Sequence, residues 1–240
     1  MSALTKTLGS VLEKTLMAPA QVTAVTALGG FRLIELRGEG LKKSGWTPGD
    51  KLRVKTGDLE LRTYTPLLWD DKKGLAHRVA WLPGRGPGSA WAAAVKPGES
   101  FFFKGPKESL KLSKAGEGPV VFFGDETAVG AAAALRRLRP LDKDLRFVFE
   151  LDDPDEAHVA LIALGLPDAA RVAKSEDGSH LKAVRKQIQA WAGESQGNAY
   201  VFLVGNQESV KTLKSKLSDK LPDAKIKAKV YWREGKAGLD

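Results

Sequence analysis

The hydrophobic positions of this 240-residue chain change rhythm near its middle. Between Ala20 and about Phe103 they fall in short alternating or apolar stretches, at residues 21–26, 31–36, 51–54, 59–64, 76–81 and 100–103, broken by glycine and proline. A period of two puts every second side chain on one face. Several such stretches in regular succession predict a small antiparallel barrel or sandwich. Gly105-Pro106-Lys107 and the polar run through Gly118 read as a linker. From Pro119 onward strands and helices alternate. Strands are expected at 120–123, 145–150, 170–173, 200–204 and 225–232. Helices are expected from a cap at Asp125 to about residue 139, at 154–164, at 181–191 and at 208–217. That alternation predicts a parallel sheet covered by helices on both faces. The expected organisation is therefore an N-terminal segment over 1–18, a barrel over 19–105, a linker over 106–118 and an α/β domain over 119–240.

Leu4, Leu8, Val11, Leu12 and Leu16 in the opening segment have the spacing of an amphipathic helix. Thr, Ser, Glu and Lys interrupt it, which is unlike a secretory signal. No apolar run reaches membrane-spanning length, so no membrane span is expected. A hydrophobic content of 42% with 28% charged residues suits a globular protein. The absence of cysteine excludes disulfides, thiolate catalysis and thiolate-bound clusters. His77, His158 and His180 are far apart and lack partners at ligand spacing, so no protein-bound metal is expected. A redox centre in this chain has to be an organic cofactor. The net charge of +9 raises the question of nucleic acid. The basic residues are spread along the chain without a recognition helix or arm, and the reading is against nucleic-acid binding. Between Asn206 and Asp240 there are nine Lys or Arg against five Asp or Glu, which suits a solvated surface or attraction of an anionic cofactor or chelate.

The densest chemistry lies in Arg62-Thr63-Tyr64-Thr65-Pro66. On a strand Arg62 and Tyr64 share a face. Arg62 can fork onto a phosphate, Tyr64 offers a flat ring, and Thr65 carries a hydroxyl where the strand ends. A dinucleotide with a planar redox ring needs these contacts in about this order; a strand of mixed polarity is the plain alternative. About twenty residues on, Gly84-Arg85-Gly86-Pro87-Gly88-Ser89-Ala90-Trp91 leads into a short helix, with Ser89 as the expected N-cap and Pro97-Gly98 as its stop. A helix start reached through glycines presents N–H groups to a phosphate.

Taken with Trp46-Thr47-Pro48-Gly49-Asp50, Lys96-Pro97-Gly98-Glu99, Phe123-Gly124-Asp125-Glu126-Thr127-Ala128 and Tyr231-Trp232-Arg233-Glu234-Gly235, these motifs resemble the siderophore-interacting proteins. Those are flavin-dependent ferric-siderophore reductases, a branch of the ferredoxin–NADP reductase superfamily. The departure falls at Pro83-Gly84, where members usually carry His-Gly. The resemblance implies an antiparallel FAD-binding barrel followed by a parallel-sheet, nucleotide-binding-like domain. It places FAD among Arg62, Thr63, Tyr64, Thr65, Gly86, Gly88, Ser89, Ala90, Asp125 and Thr127, with Tyr64 and Thr65 nearest the chemistry. It puts the ferric acceptor by the chain end, at Trp232, Arg233 and Lys236 with Lys227 and Lys229 behind them.

The expected reaction is hydride transfer from NADPH or NADH to FAD, then single electrons to Fe(III) in a siderophore or other chelate. Net charge leans toward NADPH, whereas Asp152 and Asp153 after the second α/β strand suit the free ribose of NADH. The rivals are a flavin reductase or electron-transfer protein with a protein or free-flavin acceptor, and a non-catalytic flavin-binding sensor. A cytoplasmic monomer is the expected setting.

Overall fold

The computed structural model describes residues 17–57, 60–83, 86–116, 118–140, 142–194 and 198–235. The helical reading of residues 1–16 and the acceptor role of Lys236 lie outside the described residues.

Alternation in the first half does build strands: β1 (Ala18–Leu28), β2 (Phe31–Arg37), β3 (Lys51–Lys55), β4 (Leu61–Tyr64), β5 (Leu68–Asp70), β6 (Leu75–Trp81) and β7 (Ser100–Lys107). They form one seven-stranded antiparallel sheet in the order β4-β3-β7-β1-β2-β6-β5. The inward residues Val22, Ile34, Leu36, Leu52, Val54 and Phe103 make one core. Helix α1 (Pro87–Ala94) seals that core with Ala92, which is fully buried. Ser89 is not the cap of α1: Gly86 is, with Pro87 in the first turn. Proline's fixed φ and missing N–H suit that first turn, which moves the helix start ahead of Ser89. Strand β7 runs two residues into the expected linker because Lys107 still pairs with Lys51 of β3.

The second half forms β8 (Val120–Gly124), β9 (Leu145–Leu151), β10 (Ala170–Ala173), β11 (Tyr200–Asn206) and β12 (Lys225–Trp232), with helices α2 (Val129–Leu138), α3 (Pro154–Ala163), α4 (Leu181–Glu194) and α5 (Gln207–Ser218). The five strands are parallel, in the order β10-β9-β8-β11-β12. Apolar runs such as Val120 to Phe123 are buried on both faces, as a helix-covered parallel sheet requires. Phe122, Phe149 and Phe202 pack toward one side, and Val121, Phe123 and Val201 toward the other. The first of these cores continues into Phe31 of β2 and Leu67 of the bend between β4 and β5. One apolar mass therefore locks the two sheets together. Strand order reverses between β8 and β11, and ligands of open α/β sheets bind outside the carboxyl ends of the strands at such a switch.

Candidate functional site

Register decides what β4 presents. Arg62 pairs with Val54 and Tyr64 with Leu52, and both partners are fully buried, so Arg62 and Tyr64 share the inner face. Thr63 points the other way and is exposed, which removes it from the site face. Arg62 is lightly engaged: one Nη donates to its neighbour's Leu61 carbonyl at 2.8 Å, and the other lies 4.0 Å from Glu60. The hydroxyl of Tyr64 donates to the Gly88 carbonyl at 3.2 Å.

That bond joins β4 to the start of α1. A Cβ on Gly88 would stand 2.8 Å from the Tyr64 hydroxyl and 3.4 Å from Cγ of Arg62, so only glycine allows this approach. The N–H groups of Ser89 and Ala90 both reach the Gly86 carbonyl at 3.1 Å, and the Ser89 hydroxyl donates to the Trp81 carbonyl at 3.0 Å. The loop and β4 thus meet at Gly88.

Beneath them lies Arg78, which sequence reading passed over. Along β6 the fully enclosed positions are Ala76, Arg78 and Ala80. The Arg78 guanidinium is 3.7 Å from the ring centre of Tyr64 and 4.2 Å from that of Trp91, and none of its three nitrogens has a hydrogen-bond partner among the described residues. Burial pulls its pKa below the ordinary arginine value, though an arginine starts high enough to stay charged.

Thr65 is the hinge between the two halves. Its backbone carbonyl lies where a Cβ on Gly130 of α2 would come within 2.8 Å, so glycine permits the sheet to touch the helix. Its hydroxyl shares a 2.7 Å hydrogen bond with Tyr231 of β12. Enclosure pushes the Tyr231 phenol up to about 12, so it stays protonated at neutral pH.

Asp125, at the carboxyl end of β8, is wholly buried and fully satisfied. One oxygen takes the N–H and hydroxyl of Thr127; the other takes the Asn206 N–H and the Trp232 indole N–H, each at 2.7 Å. A carboxylate has about four acceptor sites, and all are used. Asp125 and Thr127 are thus committed to each other and to Trp232, leaving Asp125 no acceptor for a cofactor: its task is to pin the turn, β11 and the chain end together.

Beside it, Lys174 bridges Glu126 at 2.7 Å and Asp152 at 2.9 Å. Burial raises the Glu126 carboxyl above its usual range despite the lysine beside it. Burial alone would lower Lys174, but the carboxylates around it prevail and hold it charged well above its ordinary value. A cavity of about 120 Å³ opens here, lined by Phe31, Trp81, Pro83, Glu126, Asp152, Asp153, Glu156 and Ala157. Pro83 and both aspartates singled out in the sequence therefore face one cleft between the sheets. Lys227 and Lys229 lie farther back on the edge strand β12, and Arg233 follows Trp232 directly.

These residues match in kind what a flavin dinucleotide requires. Tyr64 supplies a ring, Arg62 a guanidinium with loose partners, and Gly88 a cradle that any side chain would fill. Of the hydroxyls expected at the flavin, that of Ser89 already donates to a carbonyl and that of Thr65 shares a hydrogen bond with Tyr231.

The family model described as siderophore-interacting protein matches residues 118–235. The fold is that of the siderophore-interacting protein from Acinetobacter baumannii, with a TM-score of 0.70, 18% identity and 91% of each chain covered. The corresponding protein of Aeromonas hydrophila gives 0.69 and 18%, covering 92% of this chain and 93% of its own. A ferredoxin reductase in carbazole 1,9a-dioxygenase gives 0.72 and 19%, covering 90% of this chain and 69% of its own. No curated protein matches the sequence.

Proposed function

Because the chain belongs, through residues 118–235, to the siderophore-interacting protein family, we propose that it is a flavin-dependent reductase with FAD between its sheets and ferric siderophores or other ferric chelates as acceptors. The observation that carries this reading is a convergence. Arg62 and Tyr64 of β4, Gly88 of α1 and Tyr231-Trp232 of β12 meet around Thr65 and Asp125, where the two sheets join.

Each residue has a physical task in the proposal. Tyr64 offers the stacking surface and Arg62 swings from Leu61 to a phosphate. Thr65 keeps a hydroxyl at the sheet junction, and Tyr231, protonated at neutral pH, fixes where that hydroxyl points. Asp125 acts through Trp232, which it holds at the mouth of the switch point. When bound, the flavin supplies what no side chain here has, uptake of two electrons as hydride from a nicotinamide and their release one at a time. Arg233, Lys227 and Lys229 draw an anionic ferric chelate toward that edge, an attraction screened over about 8–10 Å by salt. Reduction to Fe(II) weakens the hold of hard oxygen ligands, and the iron is released.

The cleft changes the expectation for the donor. Glu126, Asp152, Asp153 and Glu156 surround it against one lysine already paired twice. A nicotinamide nucleotide entering there meets carboxylates suited to ribose hydroxyls and adverse to an added phosphate, which favours NADH.

A flavin reductase or electron-transfer protein is the second reading, favoured by the likeness in fold to the ferredoxin reductase. The test is absorption spectroscopy of the purified protein with FAD, followed by anaerobic mixing with NADH and NADPH. The reduced protein is then offered ferric chelates, ferredoxin and free flavin in parallel. Preferential reoxidation by ferric chelates supports the first reading, and by ferredoxin or free flavin the second. Bound flavin that no nicotinamide reduces leaves the sensor.

A further inference from the structure

We propose that Arg78 sets the reduction potential of the flavin site, as an uncompensated buried cation behind the ring of Tyr64. The inference rests on the flavin reading above and concerns a residue that this reading does not need. Its basis is geometric. Arg78 is fully enclosed, its three guanidinium nitrogens have no hydrogen-bond partner among the described residues, and its polar neighbour there, the Tyr64 hydroxyl, is turned to Gly88. What holds it is a sandwich between the faces of Tyr64 and Trp91, at 3.7 and 4.2 Å from the ring centres. Arginine suits this position because its charge is delocalised and weakly hydrated and its plane stacks on rings.

A structural role explains the position poorly. Along β6 the other enclosed positions are alanines, and the surrounding core is Leu52, Val54, Ala92 and Phe103. An aliphatic residue would fill the same volume without desolvating a charge. An unpaired charge in a dry interior is felt at longer range than one at the surface, because neither water nor a counter-ion screens it. Tyr64 is the residue proposed to carry the flavin ring, so the cation lies directly behind that platform. Hydride uptake adds negative charge to the ring. A fixed cation nearby favours that state over the oxidised one. At an effective dielectric constant near 20, a unit charge within about 10 Å is worth roughly tenfold in such an equilibrium.

The same field acts on acceptor choice. A higher potential makes reduction by the nicotinamide more favourable and transfer to a strongly chelated Fe(III) less so. Arg78 therefore biases the site toward the more easily reduced ferric chelates.

The experiment compares wild type, Arg78→Met and Arg78→Lys after reconstitution with FAD. Near-ultraviolet circular dichroism checks the packing of Trp91, fluorescence titration gives FAD affinity, and equilibration with a redox dye gives the midpoint potential. The expected result is that Arg78→Met lowers the reduced-to-oxidised ratio at fixed dye potential about tenfold, some 30 mV for a two-electron couple. Arg78→Lys, which keeps the charge, retains most of the wild-type value. Retention of FAD by Arg78→Lys but not by Arg78→Met also supports a role for the charge. An unchanged potential in folded Arg78→Met overturns the proposal while leaving the flavin reading intact. Loss of FAD by both variants also overturns it, since the planar clamp and not the charge would then be what matters. Failure of wild type to bind FAD overturns the flavin reading itself, and this proposal with it.

Discussion

Arg78 and Asp125 are buried charges in opposite halves of the molecule, and the protein treats them in opposite ways. Asp125 has every acceptor site filled by four donors from three segments of the chain. Among the described residues Arg78 has no hydrogen-bond partner and lies between two aromatic faces. A buried charge that is fully paired serves as a pin, because removing it strands its donors. An unpaired one costs the fold its desolvation, offset for Arg78 by two aromatic faces, and its field remains available to a ligand. Burial alone does not distinguish the two; the count of partners does.

The sharpest way to break this contrast is Asp125→Ala. It leaves the Thr127 and Asn206 N–H groups and the Trp232 indole without their acceptor, and we expect a loss of about 3–5 kcal/mol in denaturant unfolding. Arg78→Met should do the reverse of a pin, changing stability by less than about 2 kcal/mol in either direction. If Arg78→Met costs as much as Asp125→Ala, the contrast is wrong.

Gly88→Val tests the seam without touching either charge. Its side chain meets the Tyr64 hydroxyl and Arg62, so the protein should purify without flavin while losing only about 1–3 kcal/mol to overpacking. Full retention of flavin by this variant would remove the loop from the site.

Tyr231→Phe is a smaller change at the junction. Losing the Thr65 hydrogen bond should cost about 1 kcal/mol at neutral pH. The folded phenol sits at about 12 against an ordinary value of 10.0, so the wild type holds a stability increment below pH 10. It loses that increment as pH rises through 12, at up to about 1.4 kcal/mol per pH unit. The phenylalanine variant should show a shallower alkaline decline across this window. Parallel curves would mean the hydroxyl is not enclosed in solution. The smallest effect is expected from Arg233→Ala, a two- to threefold rise in KM for an anionic ferric chelate at low salt that fades as salt screens exposed charge.

The same contrast shows what the sequence could disclose. Alternation and strand–helix order revealed both sheets, because each has a periodic apolar face. Strand β5 escaped since three residues, Leu68 to Asp70, carry no period. Arg78 escaped for a different reason. In β6 the bulkier apolar residues are Leu75, Val79 and Trp81, which points to that face as the core. Val79 and Trp81 do pack, but against the core shared with the parallel sheet, and the alternate face with Arg78 is enclosed as well. A strand covered on both sides defeats an argument from one apolar face. The alignment of Arg62 with Tyr64 was legible because it is local. The bonds from Thr65 to Tyr231 and from Asp125 to Trp232 span 166 and 107 residues, and no pattern in the chain announces them. Asp125 was legible as a cap, but not as the anchor of the chain end.

The central claim is that the seam between β4, α1 and β12 binds a flavin that passes electrons to ferric chelates. Its most direct measurement is anaerobic absorption spectroscopy of the wild-type protein with FAD, first with NADH and in parallel NADPH, and then with a ferric chelate. The account predicts a yellow one-to-one complex, bleached by NADH and restored by the chelate, with Fe(II) appearing in step. A protein that leaves FAD free in solution, or holds it without reduction by either nicotinamide, would contradict it.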